Sequence, residues 1–428
     1  MVRVLTNQAD IHWFGTSAET FSSDTLQDSV DADIVIIGGG YTGLNIALEA
    51  AKRGAKAVVL EARTIGFGGS GRNVGLVNAG LWLSPEGIRQ ALGDGIGDRL
   101  SGILAGAPEA VFNLIEQHRI DCAPVRSGTL HCAHSLKGYD SLKTRVDQMK
   151  ALDAPVSLLS ADETAERVGA KGLHGALFDP RAGTIQPLAY ARGLARAAVE
   201  SGASVHEESP ALSVGWQDNK WEVATPAGLV RANALVMATD SYPFKMSWVQ
   251  PLKSVPVYYF QVATAPLSEK QRASILPGGE GCWDTATVMS SWRLDHEGRL
   301  IIGGMGQLSH IASGMHRQWI GRKIAKLFPA LKGIEIERAW DGRIGMTQEK
   351  LPKIWRFGPG AYACFGYSGR GIAPGTVFGQ RLANCILDKT EQVLPVVPVN
   401  ENVTKYTRFK GMGFEAGAAL VHSVADRF

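Results

Sequence analysis

Cysteine is scarce in this sequence, and the thiols that occur are not paired. The 428 residues include five cysteines, and none stands in a C-x-x-C spacing. The odd number and the spacing argue against a disulfide framework and give no signal for a zinc site. The histidines show no metal-ligand spacing either. We therefore expect no metal ion and reduced, buried thiols at Cys122, Cys132, Cys282, Cys364 and Cys385.

The sequence also lacks an excess of charge and a long apolar run. Its 44 Lys and Arg residues nearly balance 41 Asp and Glu residues, and no dense basic run occurs. This balance argues against nucleic acid or an anionic membrane as a partner. No 18 apolar residues run together, and the N-terminal residues do not form a secretory signal. We therefore expect no membrane span and a cytoplasmic protein.

Glycine is abundant, and its most informative cluster follows a short apolar run. Residues 34–43 read IVIIGGGYTG, in which a predicted strand is followed by a match of Gly38, Gly40 and Gly43 to G-x-G-x-x-G. These glycines turn the chain, admit a pyrophosphate close to the backbone and let the helix pack on the strand. The helix predicted over residues 41–53 presents unpaired N–H groups at its N-terminus. The segment therefore predicts a site for the phosphates of a dinucleotide.

An acidic residue completes this first unit. A second buried strand is predicted over residues 56–60 and is followed by Glu61, 18 residues beyond Gly43. A carboxylate at this point accepts hydrogen bonds from an adenosine ribose and would repel a 2′-phosphate. The unit therefore disfavours NADP.

The order of elements predicts an α/β fold, α+β overall. Strands alternate with helical patterns, which favours a doubly wound, Rossmann-type dinucleotide-binding domain. This domain is predicted to be discontinuous and to comprise residues 1–88, 152–245 and 338–428. A second, substrate-binding domain on a mixed or antiparallel sheet is predicted from residues 89–151 and 246–337.

Three further segments are typical of a cofactor site. Residues 66–75, GFGGSGRNVG, can wrap a cofactor with backbone amides, although a surface loop has the same composition. Residues 234–242 predict a buried strand that ends in a polar turn at Thr239, which also suits any core strand. Residues 363–383 predict a strand, a glycine-rich turn and a helix whose N-terminus can stabilise negative charge. Two glycine-rich helix entries indicate one ligand held at both ends.

With these motifs the chain resembles the D-amino-acid-oxidase-like flavoproteins, and among them the γ-glutamylputrescine oxidoreductases and related secondary-amine and imino-acid oxidases. The resemblance spans nearly the whole chain in the family's order. It rests on IVIIGGGYTGL, VVLEARTIGFGGSGRNVG, VMATD, AWDGRIGMTQEKLPKI and GYSGRG. It implies the fold and FAD as cofactor, and it does not specify the substrate.

The resemblance also implies which residues hold FAD. They fall into a pyrophosphate turn, an adenosine side, a loop along the diphosphate and flavin, and a border of the isoalloxazine ring. These groups are Gly38, Gly40, Tyr41, Thr42 and Gly43; Glu61, Ala62, Arg63 and Ala211; Gly68, Gly69, Ser70, Gly71, Arg72, Asn73 and Val74; and Gly342, Arg343, Gly369, Arg370, Gly371, Ile372 and Ala373. We add Thr239 from the strand that ends in a polar turn.

The chain departs from its relatives at the second glycine-rich turn. Related sarcosine oxidases have histidine where Arg370 stands, and a lysine that binds the substrate carboxylate where Ala373 stands. These differences argue against sarcosine as the substrate. Those relatives also attach flavin through a cysteine in the region that matches residues 343–347, which read RIGMT here. We therefore predict non-covalent FAD.

Three side chains are candidates for contact with the reacting atoms. Arg343 can support negative charge on reduced flavin or hold a carboxylate, although an arginine paired with Asp341 would look the same. Arg370 can face flavin or substrate. Tyr258 and Tyr259 are adjacent on a predicted strand, so only one of them lines a pocket. We name Arg343, Tyr258 and Arg370 as the catalytic candidates.

The expected reaction is FAD-dependent oxidation of the C–N bond of a small secondary amine or N-substituted amino acid. The substrate class includes γ-glutamyl amines and imino-diacids, and hydride transfer to flavin N5 leaves an imine that hydrolyses to a carbonyl compound and an amine. Oxygen or another acceptor then reoxidises the flavin, and an oxidase is favoured over a dehydrogenase. The alternatives are a D-amino-acid or glycine/sarcosine-type enzyme, an NAD-dependent dehydrogenase, and a flavoprotein without turnover.

Overall fold

The computed structural model describes residues 8–243, 246–247, 252–309, 312–401 and 407–426, and these form two large sheets with surrounding helices. The strands are β1 (Ser29–Ile37), β2 (Ala57–Leu60), β3 (Leu76–Val77), β4 (Thr129–Cys132), β5 (Ser157–Leu159), β6 (Ala176–Asp179), β7 (Gly183–Thr184), β8 (Ser204–His206), β9 (Ser213–Gln217), β10 (Lys220–Ala224), β11 (Leu229–Met237), β12 (Val255–Pro266), β13 (Gly281–Asp284), β14 (Ser290–Leu294), β15 (Arg299–Met305), β16 (Ile336–Met346), β17 (Lys353–Gly358) and β18 (Ala361–Phe365).

The helices are distributed over the whole chain. They are α1 (His12–Gly15), α2 (Tyr41–Lys52), α3 (Pro85–Leu92), α4 (Asp94–Ala105), α5 (Ala107–Gln117), α6 (Leu136–Lys150), α7 (Ala161–Val168), α8 (Pro187–Glu200), α9 (Glu269–Arg272), α10 (Ser313–Leu327), α11 (Ile372–Asp388) and α12 (Thr407–Val424). Within the described ranges, none of these helices is both long and apolar enough to cross a membrane.

The first sheet is a Rossmann-type sheet, as predicted. Its strands follow the order β17-β18-β11-β1-β2-β8, and β18, β11, β1, β2 and β8 are parallel. The apolar residues of β1 alternate between two cores: Ile34 and Ile36 face α2, α8 and α11, whereas Val35 and Ile37 pack with Trp221 of β10. Burial on both faces explains why β1 is a continuous apolar run.

The second sheet is mixed, as predicted. Its order is β16-β12-β15-β14-β13-β4-β6-β5, and the pairs are antiparallel except for β13 with β4. Phe260, Trp292 and Ile302 on one face pack against Trp319 and Ile320 of α10. A two-stranded ribbon of β3 and β7 completes the sheets.

The predicted domain boundaries stay a prediction, and sheet membership differs from them at two places. β5 and β6 lie within the range 152–245 assigned to the first domain, yet both belong to the second sheet, where β6 pairs with β5 on one side and with β4 on the other. β16 reaches into the range 338–428, yet it pairs along its length with β12. In both cases the pairing partner lies in a distant segment, so periodicity along the sequence could not reveal it.

Candidate functional site

The two glycine-rich turns predicted from the sequence lie side by side. Because β1, β11 and β18 are adjacent and parallel, the turns that follow them meet at one edge of the sheet. The Gly366 N–H donates to Asp240 Oδ1 at 2.7 Å, which joins the turns after β18 and β11. The Thr42 and Tyr367 hydroxyls are 2.7 Å apart, which joins the turns after β1 and β18.

The first turn has the open backbone that a phosphate needs. Gly38 has φ +114°, and a Cβ on Gly43 would lie 2.0 Å from the Gly38 carbonyl oxygen. A Cβ on Gly40 would approach only the Ser70 hydroxyl, at 3.0 Å. Gly40 is the N-cap of α2 and contributes no side-chain cap. The Ser70 hydroxyl accepts the first N–H of α2, that of Tyr41, and the N–H groups that follow in the first turn have no Cβ of residue 40 in front of them, which fits an anion.

Glu61 closes the same turn from the side of β2. Its carboxylate accepts the N–H groups of Gly39 at 2.7 Å and Arg63 at 2.9 Å, and burial raises its pKa. Each carboxylate oxygen keeps a second lone pair for a ribose hydroxyl. Ala62 is half-buried beside it, and Ala211 is buried in the core on the Trp221 side of the sheet.

The loop of residues 66–75 is ordered by its own hydrogen bonds. Residues 69–71 form a 3₁₀ turn, and the Ser70 hydroxyl accepts the Tyr41 N–H at 3.1 Å. The Asn73 amide donates to the Tyr41 hydroxyl at 3.1 Å and to the Gly69 carbonyl at 2.9 Å. Val74 packs against the cluster that includes Trp13 and Trp340. The loop is thereby fixed against the start of α2.

Arg72 fastens this loop to the second sheet. Its guanidinium is buried and donates to the carbonyl oxygens of Phe67 at 2.9 Å and Asp341 at 3.0 Å. The Trp340 indole donates to the Arg72 carbonyl at 2.9 Å. Burial lowers the pKa of Arg72. The backbone of β16 is therefore held beside the predicted diphosphate and flavin loop.

Tyr242, which the sequence did not single out, lies between this loop and β16. Its ring would contact a Cβ on Gly68 at 3.1 Å, and a Cβ on Gly342 would lie 3.4 Å from its hydroxyl. The hydroxyl accepts the Arg343 N–H at 2.7 Å, and the Arg343 guanidinium lies 5.0 Å from the ring centre. Arg343 Nε is buried without a hydrogen-bond partner in the described ranges. Tyr258 lies opposite Arg343 in the register of β12 and β16.

Arg370 belongs to a different group of side chains. Its guanidinium lies 4.7 Å from the Trp82 ring centre and 4.9 Å from that of Trp283, and Nη1 donates to the Ala79 carbonyl at 3.0 Å. His131 stacks on Trp283 at 5.0 Å. Burial lowers the pKa of Arg370 to about 9. The three catalytic candidates therefore have different surroundings. Arg343 and Tyr258 are opposite each other on β16 and β12, whereas Arg370 lies against Trp82 and Trp283.

The turn that carries Arg370 is packed against α2. Gly369 is exposed with φ +93°, Gly371 is the N-cap of α11, and Ile372 and Ala373 are buried in the first turn of that helix. A Cβ on Gly379 would lie 2.6 Å from the Thr42 carbonyl oxygen, so α11 approaches α2 closely. At the neighbouring turn, Thr239 Oγ1 is buried without a hydrogen-bond partner among the described residues.

One face of the second sheet borders this region. The register of the strands places Tyr259, Trp283 and His131 on the same face, together with Ile344. The Tyr259 hydroxyl donates to the Ser291 hydroxyl at 3.0 Å, and burial raises its pKa. Burial holds the pKa of His131 well below its usual range, so this histidine is neutral. Trp283 touches Arg370, so the aromatic face looks toward the turn between β18 and α11.

One group of possible metal ligands occurs elsewhere in the described residues. His12, Asp295 and Glu297 offer ligand atoms within 4.8 Å of one another. The His12 Nε2 and Asp295 Oδ2 atoms are 2.6 Å apart and hydrogen-bonded, and the other Asp295 oxygen accepts backbone N–H groups of Glu297 and Arg299. These contacts already use both Asp295 oxygens.

The turns at the sheet edge fit an extended dinucleotide. Backbone N–H groups without a Cβ on residue 40 stand at the first turn, and the Glu61 carboxylate stands at the end of β2. The buried Thr239 hydroxyl has no hydrogen-bond partner in the part of the chain that the structure describes. Several residues around this region were not predicted from the sequence: Trp82, His131, Arg145, Tyr242 and Trp283. They come from distant segments, and no local pattern joins them.

Comparison with known proteins agrees with this geometry. The family model described as DAO, FAD dependent oxidoreductase, matches residues 33–385. The chain therefore belongs to this family of FAD-dependent oxidoreductases, and its cofactor is FAD. It is therefore an FAD-dependent oxidoreductase, as the sequence motifs predicted.

Particular relatives cover nearly the whole chain. The chain is 29% identical to γ-glutamylputrescine oxidoreductase of Escherichia coli over 423 residues, which is 97% of this chain and 98% of that protein. The solved glycine oxidase of Geobacillus kaustophilus has a TM-score of 0.70 at 20% identity and covers 85% of this chain and 96% of its own. Iminodiacetate oxidase of Chelativorans sp. has a TM-score of 0.68 at 16% identity and covers 86% of this chain and 100% of its own.

Proposed function

We propose that this protein oxidises the C–N bond of a small secondary amine or an N-substituted amino acid, of the γ-glutamyl amine or imino-diacid class. FAD supplies the hydride acceptor, and hydrolysis of the resulting imine gives a carbonyl compound and an amine. One observation carries the proposal. The two glycine turns lie side by side, joined by the hydrogen bond between Thr42 and Tyr367, and they border the aromatic face of the second sheet, which carries Tyr259, Trp283 and His131. The relative that acts on γ-glutamylputrescine, similar over 97% of this chain, supports the substrate class.

The side chains of the aromatic face suit an uncharged amine. Tyr259, Trp283 and Ile344 offer an apolar surface, and His131 remains neutral because burial lowers its pKa. An amine enters such surroundings more readily as the neutral base, whose lone pair assists hydride loss from the adjacent carbon. Hydride transfer needs no protein nucleophile, so the residues of this chain have to position the substrate and exclude water.

The decisive experiment is anaerobic mixing of the purified yellow protein with a panel of amines while flavin absorbance is recorded. We expect bleaching by at least one secondary amine or N-substituted amino acid. Glycine, sarcosine and D-amino acids belong in the panel, because glycine oxidase shares the fold. Admitting air afterwards separates an oxidase, which regains its colour within turnover time, from an enzyme that needs another acceptor.

Two outcomes would contradict the proposal. A protein that stays colourless after FAD is added would favour an NAD-dependent dehydrogenase. A yellow protein that no member of the panel bleaches would favour a flavoprotein without turnover.

Acid precipitation tests the mode of attachment of FAD. The segment RIGMT contains no cysteine, and burial raises the pKa of Cys364, the cysteine just before the second glycine turn, to about 12. We therefore expect all FAD in the supernatant, because a buried thiol with a high pKa is a poor nucleophile. Yellow colour that remains in the pellet would indicate a covalent link.

A further inference from the structure

We propose that the outer face of α12 is an interface with a second copy of this chain, in which the two α12 helices pack antiparallel about a two-fold axis near Ala416 and Gly417. The inference goes beyond the proposed function, because it concerns the assembly of the chain and not its chemistry. The outer face consists of eight exposed residues: Phe409, Met412, Gly413, Ala416, Gly417, Leu420, Val421 and Val424.

The inner face of α12 is already fixed to the rest of the chain. Its buried residues are Gly411, Glu415, Ala418 and His422. The Glu415 carboxylate accepts a hydrogen bond from His316 Nε2 at 2.9 Å, and the His422 ring stacks on Trp319 at 3.7 Å. The Arg322 guanidinium donates to the His422 carbonyl at 2.6 Å. Because these contacts hold the helix in one orientation, its outer face stays turned away from the core.

The outer face is more apolar than an ordinary protein surface. Phe409, Leu420 and Met412 are 73%, 69% and 61% exposed. Glu415 is the one acidic residue in the sequence of α12, and it is buried. A helix that is apolar on all sides is typically covered on all sides. The exposed apolar side chains offer on the order of 600 Å², so two such faces bury about 1,200 Å², which reaches the size of a specific interface.

Large and small residues follow one another along this face in a self-complementary order. Phe409 stands near one end and Leu420 and Val424 near the other, whereas a Cβ on Gly413 or Gly417 would meet no atom within 4 Å. An antiparallel copy places Leu420 of each helix opposite the open space at Gly413 of the other, and Phe409 opposite Val424. Because a two-fold axis repeats each contact, both open spaces are filled.

Charge favours the same orientation and argues against a lipid surface. Antiparallel packing brings the exposed Lys410, in the first turn of one helix, toward the C-terminal end of the other, where the helix dipole is negative. A helix that lies on an anionic membrane has Lys and Arg residues along its polar face. The sequence of α12 contains two, Arg408 and Lys410, and both are in the first turn.

Sedimentation velocity of the FAD-loaded protein over about three decades of concentration tests the proposal. We expect the mass of wild type to approach twice the 45.8 kDa of one chain as the concentration rises. Leu420→Glu should raise the dissociation constant at least about 10-fold, because the interface would bury two carboxylates without partners. Leu420 is exposed, so this substitution should leave the fold and the FAD content unchanged.

A second substitution tests the antiparallel pairing. Gly413→Lys added to Leu420→Glu should strengthen association again by about 3- to 30-fold, because each lysine then meets a glutamate of the other copy. Within one helix the two positions are about 10 Å apart along the axis, which is too far for an ion pair in the same copy.

Cross-linking through an introduced cysteine tests the position of the axis. The five native cysteines are buried, so the Ala416→Cys variant gains an exposed thiol. Diamide removes two electrons and two protons from a pair of thiols, and we expect it to join two copies of Ala416→Cys through a disulfide. Gly102→Cys is the matched control, because Gly102 is exposed on α4 and a Cβ there would meet nothing within 4 Å. This control should remain a single chain.

Several results would overturn the proposal. They are a wild-type protein that stays monomeric over the whole range, a dissociation constant that Leu420→Glu leaves unchanged, no recovery on addition of Gly413→Lys, and equal cross-linking of Ala416→Cys and Gly102→Cys. A monomeric wild type that sediments with vesicles of phosphatidylcholine and phosphatidylserine, when Leu420→Glu does not, would assign the face to a lipid surface instead. None of these measurements uses an amine, so failure of the proposed function would leave the interface standing.

Discussion

Replacing Gly43 by alanine tests whether close packing of α2 on the first turn positions the cofactor site. The methyl carbon would lie 2.0 Å from the Gly38 carbonyl oxygen and 3.2 Å from Ile36 Cγ2, and a backbone oxygen cannot rotate away. Real Cβ contacts essentially never fall below 3.0 Å, so helix and turn must separate by about 1 Å. Overpacking of this kind costs about 1–3 kcal/mol, and the better helix propensity of alanine offsets about 1 kcal/mol. We expect a net loss of unfolding free energy and a larger loss of bound FAD.

Gly102 provides the matched control for this substitution. It lies in α4, is exposed, and a Cβ there would meet nothing within 4 Å. Gly102→Ala should therefore stabilise the protein by about 0.5–1 kcal/mol. Urea unfolding gives the free energies, and the ratio of absorbance at the flavin band to that of the protein gives FAD content. A Gly43→Ala protein as stable as Gly102→Ala, with full FAD content, would refute the reasoning.

Three further predictions concern the same edge of the sheet. Gly40→Val should sharply lower FAD content, because its side chain would fill the phosphate space and crowd Ser70, 3.0 Å from the position of Cβ; unchanged flavin absorbance would contradict the assignment. Arg343→Ala should slow anaerobic flavin reduction and leave FAD occupancy intact, and an unaltered rate would reduce Arg343 to a structural role. Burial raises the pKa of the Asp240 carboxyl group to about 6, so the folded protein binds a proton at Asp240 more tightly than the unfolded chain does. The free energy of unfolding should therefore fall as pH rises from about 4 to 6. Asp240→Asn should remove that fall in a plot of Tm against pH, and parallel plots for the two proteins would speak against a buried, protonated Asp240.

The first β-α-β unit was predictable because its signals are local. The apolar run, the glycine spacing and Glu61 lie within 28 residues, and the helix predicted over residues 41–53 is observed as Tyr41–Lys52. Helix α11 was harder to place. The spacing of apolar residues predicts a helix over residues 377–388, but α11 begins five residues earlier, at Ile372, because Pro374 and Gly375 in its first turns are typical of a loop. Proline is tolerated there, and Gly375 and Gly379 admit the backbone of α2.

The group of side chains around Arg370 could not be predicted because it depends on pairing between distant strands. Trp82, Arg145, Trp283 and Arg370 come from four separate segments and meet only when the two sheets are assembled. The choice between the adjacent tyrosines has the same origin. Alternation along a strand shows that one tyrosine faces each side, but only the register of β12 with β15 and β16 decides which side carries Tyr259.

The parallel pairing of β1 has a consequence for biosynthesis. β1 ends at Ile37, its neighbour β11 begins at Leu229, and the next strand, β18, ends at Phe365. A ribosome adds about 5–20 residues per second, so the edge of β1 that pairs with β11 waits many seconds for that strand, although β2, the partner at the other edge, is made soon after β1. During that interval the nascent chain exposes an unpaired strand edge that is prone to aggregate, and the turn after β18 is made only near the completion of translation.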